Sequence, residues 1–153
     1  MHYKQGRELK EFDFLYKEID ESYHNIALSL GLTDTAFLIL YCLVELGDGC
    51  LQKDICEMYC MSKQTVNSSV KSLETKGFLK RVAGKGRDMH LFFTDWGLEF
   101  ANRHIGPVIE MENHTFACMP EQEREELLRL TRKYSQIFKE HVQQFLEENS
   151  HAN

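Results

Sequence analysis

No uninterrupted apolar run in this sequence approaches the roughly 18–20 residues that a helix needs to cross a bilayer. The opening stretch MHYKQGRELKEFDF is too charged for a signal peptide. Both absences argue against a membrane partner, and the chain is expected in the cytoplasm. Five cysteines (Cys42, Cys50, Cys56, Cys60 and Cys118) lack the even count and regular spacing of a disulfide framework. They suit a reducing compartment, where small thiols pack as apolar groups. No low-complexity tract, internal repeat or long linker divides the 153 residues, a length that fits one domain or one domain with an elaborated end. Catalytic signatures are missing too. There is no His-Glu-x-x-His, phosphate-loop or dinucleotide pattern and no recognisable Ser-His-Asp or Cys-His set, while Gly84 and Gly86 alone are explained by a turn. Neither an enzyme nor a cofactor is expected.

What is present is the balance of a folded globular chain, 42% hydrophobic and 27% charged, so only residues 149–153 are expected to be disordered. The net charge of −6 argues at first against nucleic acid, since phosphate binding draws on Lys and Arg. Its distribution reverses that argument. Between Gln52 and His90 eight basic residues face four acidic ones, giving +4, whereas the remaining chain holds ten basic and twenty acidic residues, giving −10. One segment is therefore suited to a polyanion while the rest maintains solubility, although a solvated charged surface would show the same asymmetry.

Apolar residues at Leu9, Phe12, Tyr16, Ile19, Tyr23, Ile26 and Leu30 alternate in steps of three and four, which predicts one stripe along a long helix ended by Gly31. Such a stripe requires a partner helix, in the same fold or on a second copy. A core helix follows from about Thr35 to Leu46, with Thr33 or Asp34 as its N-cap and Gly47 as its stop. Next come a short helix from Gln52 to about Tyr59, with Leu51, Ile55 and Met58 inward, and a helix capped by Ser62 that buries Val66, Val70 and Leu73. Two brief helices joined by a tight turn make a helix-turn-helix pattern. Phe78 to Val82 and Met89 to Phe93 read as strands around a Gly-Lys-Gly turn, a hairpin that forms a wing. Thr94 caps a further helix, interrupted near Gly106-Pro107, and Pro120 opens a last one whose stripe runs through Leu127, Leu130, Tyr134, Ile137 or Phe138, His141 and Phe145. The expected fold is mainly α with a small β hairpin (α+β). Residues 31–94 form the winged helix-turn-helix, and residues 1–30 with 95–148 form a helical dimerisation region.

The chemistry lies on the helix after Ser62. At about 100° per residue, Lys63, Gln64, Asn67, Ser68 and Lys71 fall within roughly 140° of one another, apart from the inward valines and Leu73. Asn and Gln bond an adenine edge in two places, Lys reaches guanine or phosphate, and hydroxyls bond bases or backbone. No acid interrupts this arc before Glu74. Ser62 and Thr65, at the helix N-terminus, are placed to meet a phosphate. On the wing, Arg87 is the candidate for the minor groove and Lys85 for phosphate.

These residues resemble the MarR-type winged helix-turn-helix regulators. The likeness is carried by GLTDTAFLIL (residues 31–40), SKQTVNSSVKSLETKGFLKR (residues 62–81) and LFFTDWG (residues 91–97), the last with the family's Thr-x-x-Gly after a strand. It implies a homodimer whose first and last helices interlock, gripping pseudo-palindromic double-stranded DNA as a repressor or activator. It also implies, as in many members, relief by a small amphipathic or phenolic effector held between the lobes and the dimer helices. The segment KGRDMH lacks the family's longer Asp-x-Arg pattern, so a role for Asp88 in holding Arg87 is not carried over. No cysteine precedes Cys42, which argues against the peroxide-sensing route of some relatives.

Competing readings stay open. Tyr16, Tyr23, Phe37, Tyr41 and Trp96, with Phe12, offer rings for an effector cleft, but helical periodicity accounts for them as packing. Cys56 and Cys60 lack the usual metal-site spacing, whereas His104, His114 and Cys118 are near enough in sequence to keep a metal-responsive regulator of the same fold as an alternative; no metal is assigned. A protein-interaction module that uses the same polar helix face is another.

Overall fold

A computed structural model describes residues 3–86 and 88–150. Seven α-helices and one antiparallel hairpin are seen among them, in the order α1 (Arg7–Ser29), α2 (Asp34–Leu46), α3 (Gln52–Met58), α4 (Lys63–Thr75), β1 (Leu79–Ala83), β2 (Met89–Phe93), α5 (Asp95–Phe100), a π-helical turn (Ala101–Ile105), α6 (Gly106–Ala117) and α7 (Glu121–Ser150). The chain falls into two compact units, Met1–Val108 and Ile109–Asn153.

The first unit is organised by α2. Thr33 caps it by accepting from the Ala36 amide at 3.2 Å, and Gly47, at φ +92, follows its last turn. Its middle is apolar all round, and Phe37, Ile39, Leu40, Cys42 and Leu43 are each at most 2% exposed. A large side chain buried to this degree contributes about 1.5–3 kcal/mol. Around it lie Ala27 from α1, Ile55 from α3, Val66, Val70 and Leu73 from α4, Leu79, Leu91 and Phe93 from the strands, and Ala101 and Ile105 from the π turn. Only Ala27 of α1 is buried. Of its predicted stripe, Leu9, Tyr16, Ile19 and Tyr23 are exposed, and Phe12, Ile26 and Leu30 are half-buried.

Glycines finish α1 and α4 in the same way. Gly31 and Gly77 take φ of +68° and +79°, so that Leu32 N–H donates to Ala27 O and Phe78 N–H to Leu73 O, both at 3.0 Å. A side chain at either position would be strained in this left-handed conformation.

The hairpin pairs Leu79 with Phe93, Arg81 with Leu91 and Ala83 with Met89. The first strand begins one residue later than the sequence suggests, because Phe78 belongs to the helix-ending turn of α4. A third piece of backbone joins the sheet. Gly49 N–H donates to Leu91 O, Leu91 N–H donates to Cys50 O, and Leu51 bridges to His90. Nothing in a periodic pattern marks this addition, since it occupies a single residue before α3. Met58 corrects another expectation. It is 43% exposed, because α3 stops there and only Ile55 turns fully inward.

Thr94 caps α5 by accepting from the Gly97 amide at 2.9 Å, and its hydroxyl donates to the Gly77 carbonyl. The expected break near Gly106-Pro107 lies upstream, as the π turn in which Gly106 N–H donates to Ala101 O. Pro107 has no amide to donate, and widening the preceding turn lets the chain continue as α6.

In the second unit, Arg124 donates from Nη1 to Met119 O at 2.5 Å and ties the start of α7 to the end of α6. Helix α7 contains no buried residue, and Leu130, Tyr134, Ile137 and Phe145 along its stripe are 42–64% exposed. The helix includes Asn149 and Ser150, which donate to Phe145 O and Glu147 O, so two of the residues expected to be disordered are ordered as helix. No single described helix is long and apolar enough to cross a membrane.

Candidate nucleic-acid interface

The polar arc predicted after Ser62 is helical and open. Lys63, Gln64, Thr65, Asn67, Ser68 and Lys71 are all exposed on α4, opposite the buried Val66, Val70 and Leu73. Ser62 is the N-cap, accepting from Thr65 N–H at 3.1 Å, and its hydroxyl also lies 2.7 Å from that of Thr65. Ser68 donates back to Thr65 O at 2.9 Å. These three hydroxyls are thus partly occupied in shaping the helix. The cations Lys63 and Lys71 have no acidic partner among the described residues.

Two side chains outside the arc act on it. Gln52, the first residue of α3, donates from Nε2 to Asn67 Oδ1 at 2.5 Å, a contact that no local pattern in the sequence signals. Glu74, the acid at the margin of the arc, is taken up by Arg81 of β1. The guanidinium donates to Glu74 Oε2 from Nε at 2.9 Å and from Nη2 at 2.6 Å, and the Arg81 amide reaches Oε1 at 3.3 Å. Hydrogen bonding by Arg81 holds the Glu74 carboxyl below its ordinary value of 4.5. The pair removes a negative charge from the edge of α4 and fastens the helix to the wing.

In the wing, Gly84 N–H donates to Asp88 O at 2.9 Å and closes the loop. The Asp88 carboxylate lies 3.9 Å from Lys53 Nζ of α3. His90 Nδ1 is 2.8 Å from Gly49 O. A Cβ on Gly84 would come within 2.8 Å of the His90 ring, so glycine permits this close approach. Lys85 is exposed at the loop. Arg87 lies outside the described residues. At the root of the wing, a Cβ on Gly97 would sit 1.7 Å from Phe78 O. The Thr-x-x-Gly pattern thus has two functions, a helix cap at Thr94 and room for the Phe78 carbonyl at Gly97.

The MarR family model matches residues 30–88, a span from the end of α1 through the wing loop. The matched segment is similar to the MarR family over the helix-turn-helix and the first part of the wing. Solved structures extend the likeness of fold over most of the chain. A MarR family regulator from Neisseria meningitidis superposes with a TM-score of 0.76 at 20% identity, covering 91% of this chain and 99% of that one. MepR from S. aureus, solved as a DNA complex, gives 0.66 at 20% identity over 88% and 99% of the two chains. PcaV from Streptomyces coelicolor, solved with its natural ligand, gives 0.64 at 19% identity over 88% and 98%. No curated protein matches the sequence.

The predicted effector rings are scattered through the first unit. Phe37 is a core residue, 2% exposed, with its ring 6.1 Å from that of Tyr41. Tyr16 packs on Phe12 along α1, with ring centroids 4.9 Å apart, and Tyr23 is 38% exposed. Trp96 is 55% exposed and lies 6.4 Å from Phe100 on α5. An open depression on the outer side of α5 and the π turn is lined instead by Asp95, Leu98, Glu99, Asn102 and Arg103.

The cysteines divide by burial. Removal from water pushes the Cys42 thiol up to about 12 and the Cys50 thiol up to about 11, so both stay protonated at neutral pH. Cys60 is exposed in the turn between α3 and α4, at φ +50. Cys118 Sγ, in the turn that follows α6, lies 3.7 Å from His114 Nε2 in the last turn of that helix. No group of three or more His, Cys, Asp or Glu side chains among the described residues is arranged to hold a metal ion.

Proposed function

We propose that this chain is a sequence-specific duplex-DNA-binding regulator of transcription. It acts in the cytoplasm as a homodimeric repressor on a pseudo-palindromic operator and responds to a small amphipathic effector. The observation that carries the reading is the exposed face of α4, where Lys63, Gln64, Asn67 and Lys71 stand together and the one marginal acid is neutralised by Arg81. In this reading α4 enters the major groove with Asn67 and Gln64 toward base edges. Ser62, Thr65 and Lys71 meet phosphates, Lys85 reaches the backbone, and Arg87 reaches the minor groove.

Dimerisation is supported by the uncovered apolar stripes of α1 and α7, where Tyr16, Ile19, Leu130, Tyr134 and Ile137 would otherwise stay in water. Two-fold symmetry then sets the recognition helices roughly 34 Å apart, one turn of duplex. The DNA complex of MepR and the ligand complex of PcaV support the DNA and effector parts of the proposal by analogy of fold. Tyr16, Tyr23, Tyr41 and Trp96 remain the rings proposed for the effector, with Phe37 supporting them from the core.

The test is a salt series on operator and random duplexes, with the operator recovered by selection. Neutralising one phosphate contact through Lys71→Ala should weaken all duplexes alike and make the slope of log K against log salt shallower by about 0.9. Asn67→Ala should instead cost about 1–3 kcal/mol on the preferred sequence and little on random DNA. If neither substitution changes affinity, or the wild-type slope is flat, the DNA reading fails and a protein partner for the same face becomes the better account.

A further inference from the structure

We propose that Gln52, which lies outside the recognition helix, determines which edge of the Asn67 amide is shown to a base pair and so selects the class of base read there. The inference rests on the duplex-DNA reading of α4. An unrestrained asparagine amide turns over freely, offering its N–H pair, its oxygen, or both in a two-point contact with adenine. Asn67 is restrained. Gln52 Nε2 donates to its Oδ1 at 2.5 Å across 15 residues of sequence, joining α3 to α4 through side chains.

With Oδ1 turned toward Gln52 and one of its lone pairs engaged, the other arm of the planar amide, Nδ2, is the arm turned toward DNA, and it only donates. Asn67 therefore asks for a major-groove acceptor, which guanine supplies at N7 and O6, thymine at O4 and adenine at N7 alone, beside its N6 donor. The two-point adenine contact expected from residue type alone is weakened, because its oxygen arm is turned toward Gln52. Cytosine, which shows the donor N4, is rejected. Other polar residues of the arc are oriented differently, since Ser62, Thr65 and Ser68 bond within α4 and its cap. Asn67 takes its orientation from a neighbouring helix, so a substitution at position 52 reaches the code without touching α4.

The experiment is selection from randomised duplexes with wild type, Gln52→Glu and Gln52→Ala, joined to side-chain amide NMR of the DNA-free proteins. A carboxylate at position 52 only accepts, so Asn67 must turn its Nδ2 toward it and present Oδ1 outward. The expected result is a switch at one position per half-site, from guanine or thymine, whose hydrogen-bonding groups there only accept, toward cytosine or adenine, which show an amino donor, with a change of about ten-fold in the preference ratio, one hydrogen bond's worth. Gln52→Ala should flatten the preference at that position and shift the Asn67 amide resonances. Identical sequence profiles for all three proteins, with wild type still binding, overturn the role of Gln52 and leave the DNA reading standing. Unchanged Asn67 resonances in Gln52→Ala overturn the restraint itself, without reference to DNA. Failure of wild type to bind any duplex overturns both readings.

Discussion

Replacing Gly97 with alanine adds one methyl group where the Phe78 carbonyl already fills the space. Its Cβ would lie 1.7 Å from Phe78 O and 2.6 Å from the Phe78 carbonyl carbon, whereas real Cβ atoms essentially never come within 3.0 Å. The obstacle is backbone, so no rotamer change relieves it. Either α5 or the start of β1 must withdraw, and the same segment holds the Thr94 cap, whose hydroxyl donates to Gly77 O and accepts from the Gly97 amide. Forced repacking costs about 1–3 kcal/mol and a damaged cap about 1 kcal/mol more, so a loss of about 2–4 kcal/mol is expected. In a domain of this size each kcal/mol lowers Tm by about 2–4 °C, which predicts a fall of about 4–16 °C. Urea unfolding followed by circular dichroism measures the free energy directly, with the slope m checked for constancy between variants. A Gly97→Ala protein within about 0.5 kcal/mol of wild type would refute the claim that glycine is required here by contact.

Other outcomes test separate parts of the structure. The Glu74 carboxyl titrates below 4.5, so its pairing with Arg81 stabilises the fold above that pH and is lost as pH falls through the lower folded-state value. Glu74→Gln should therefore cost about 0.5–1 kcal/mol near neutrality and shrink the stability difference between pH 6 and pH 3 in paired denaturation curves. Thiol labelling at pH 8, read by mass spectrometry, should modify the exposed Cys60 and Cys118 first and Cys42 only through unfolding, because Cys42 is 0% exposed and its thiol is pushed up to about 12. The same burial means that stability contributed by neutral Cys42 is full below about pH 9 and declines as pH rises toward 12. Introducing charge on the α7 stripe through Leu130→Glu should convert the proposed dimer to monomer in sedimentation velocity. An unaltered dimer would place its interface elsewhere.

Much of this architecture is legible along the chain because its signals are local. Thr33, Ser62 and Thr94 cap the helices that follow them, and Gly31 and Gly77 end the helices before them. Val66, Val70 and Leu73 announce the inward face of α4 by spacing alone, and with it the outward polar arc. Met58 shows the limit, since a residue at the right period is exposed when its helix ends too soon to bury it.

What only the tertiary structure decided is how distant residues meet. Gln52 reaches Asn67, Arg81 takes up Glu74, Leu51 pairs with His90, and Gly97 admits Phe78 O. A period of 3.6 or 2 states which side of an element turns inward, and a capping residue states where an element begins. Neither states which neighbour the outward side chains will find, because that depends on how the elements pack around α2. The amino-acid order thus determined a winged helix with an acid-poor polar face, and packing decided how that face is oriented and kept free of the charge beside it.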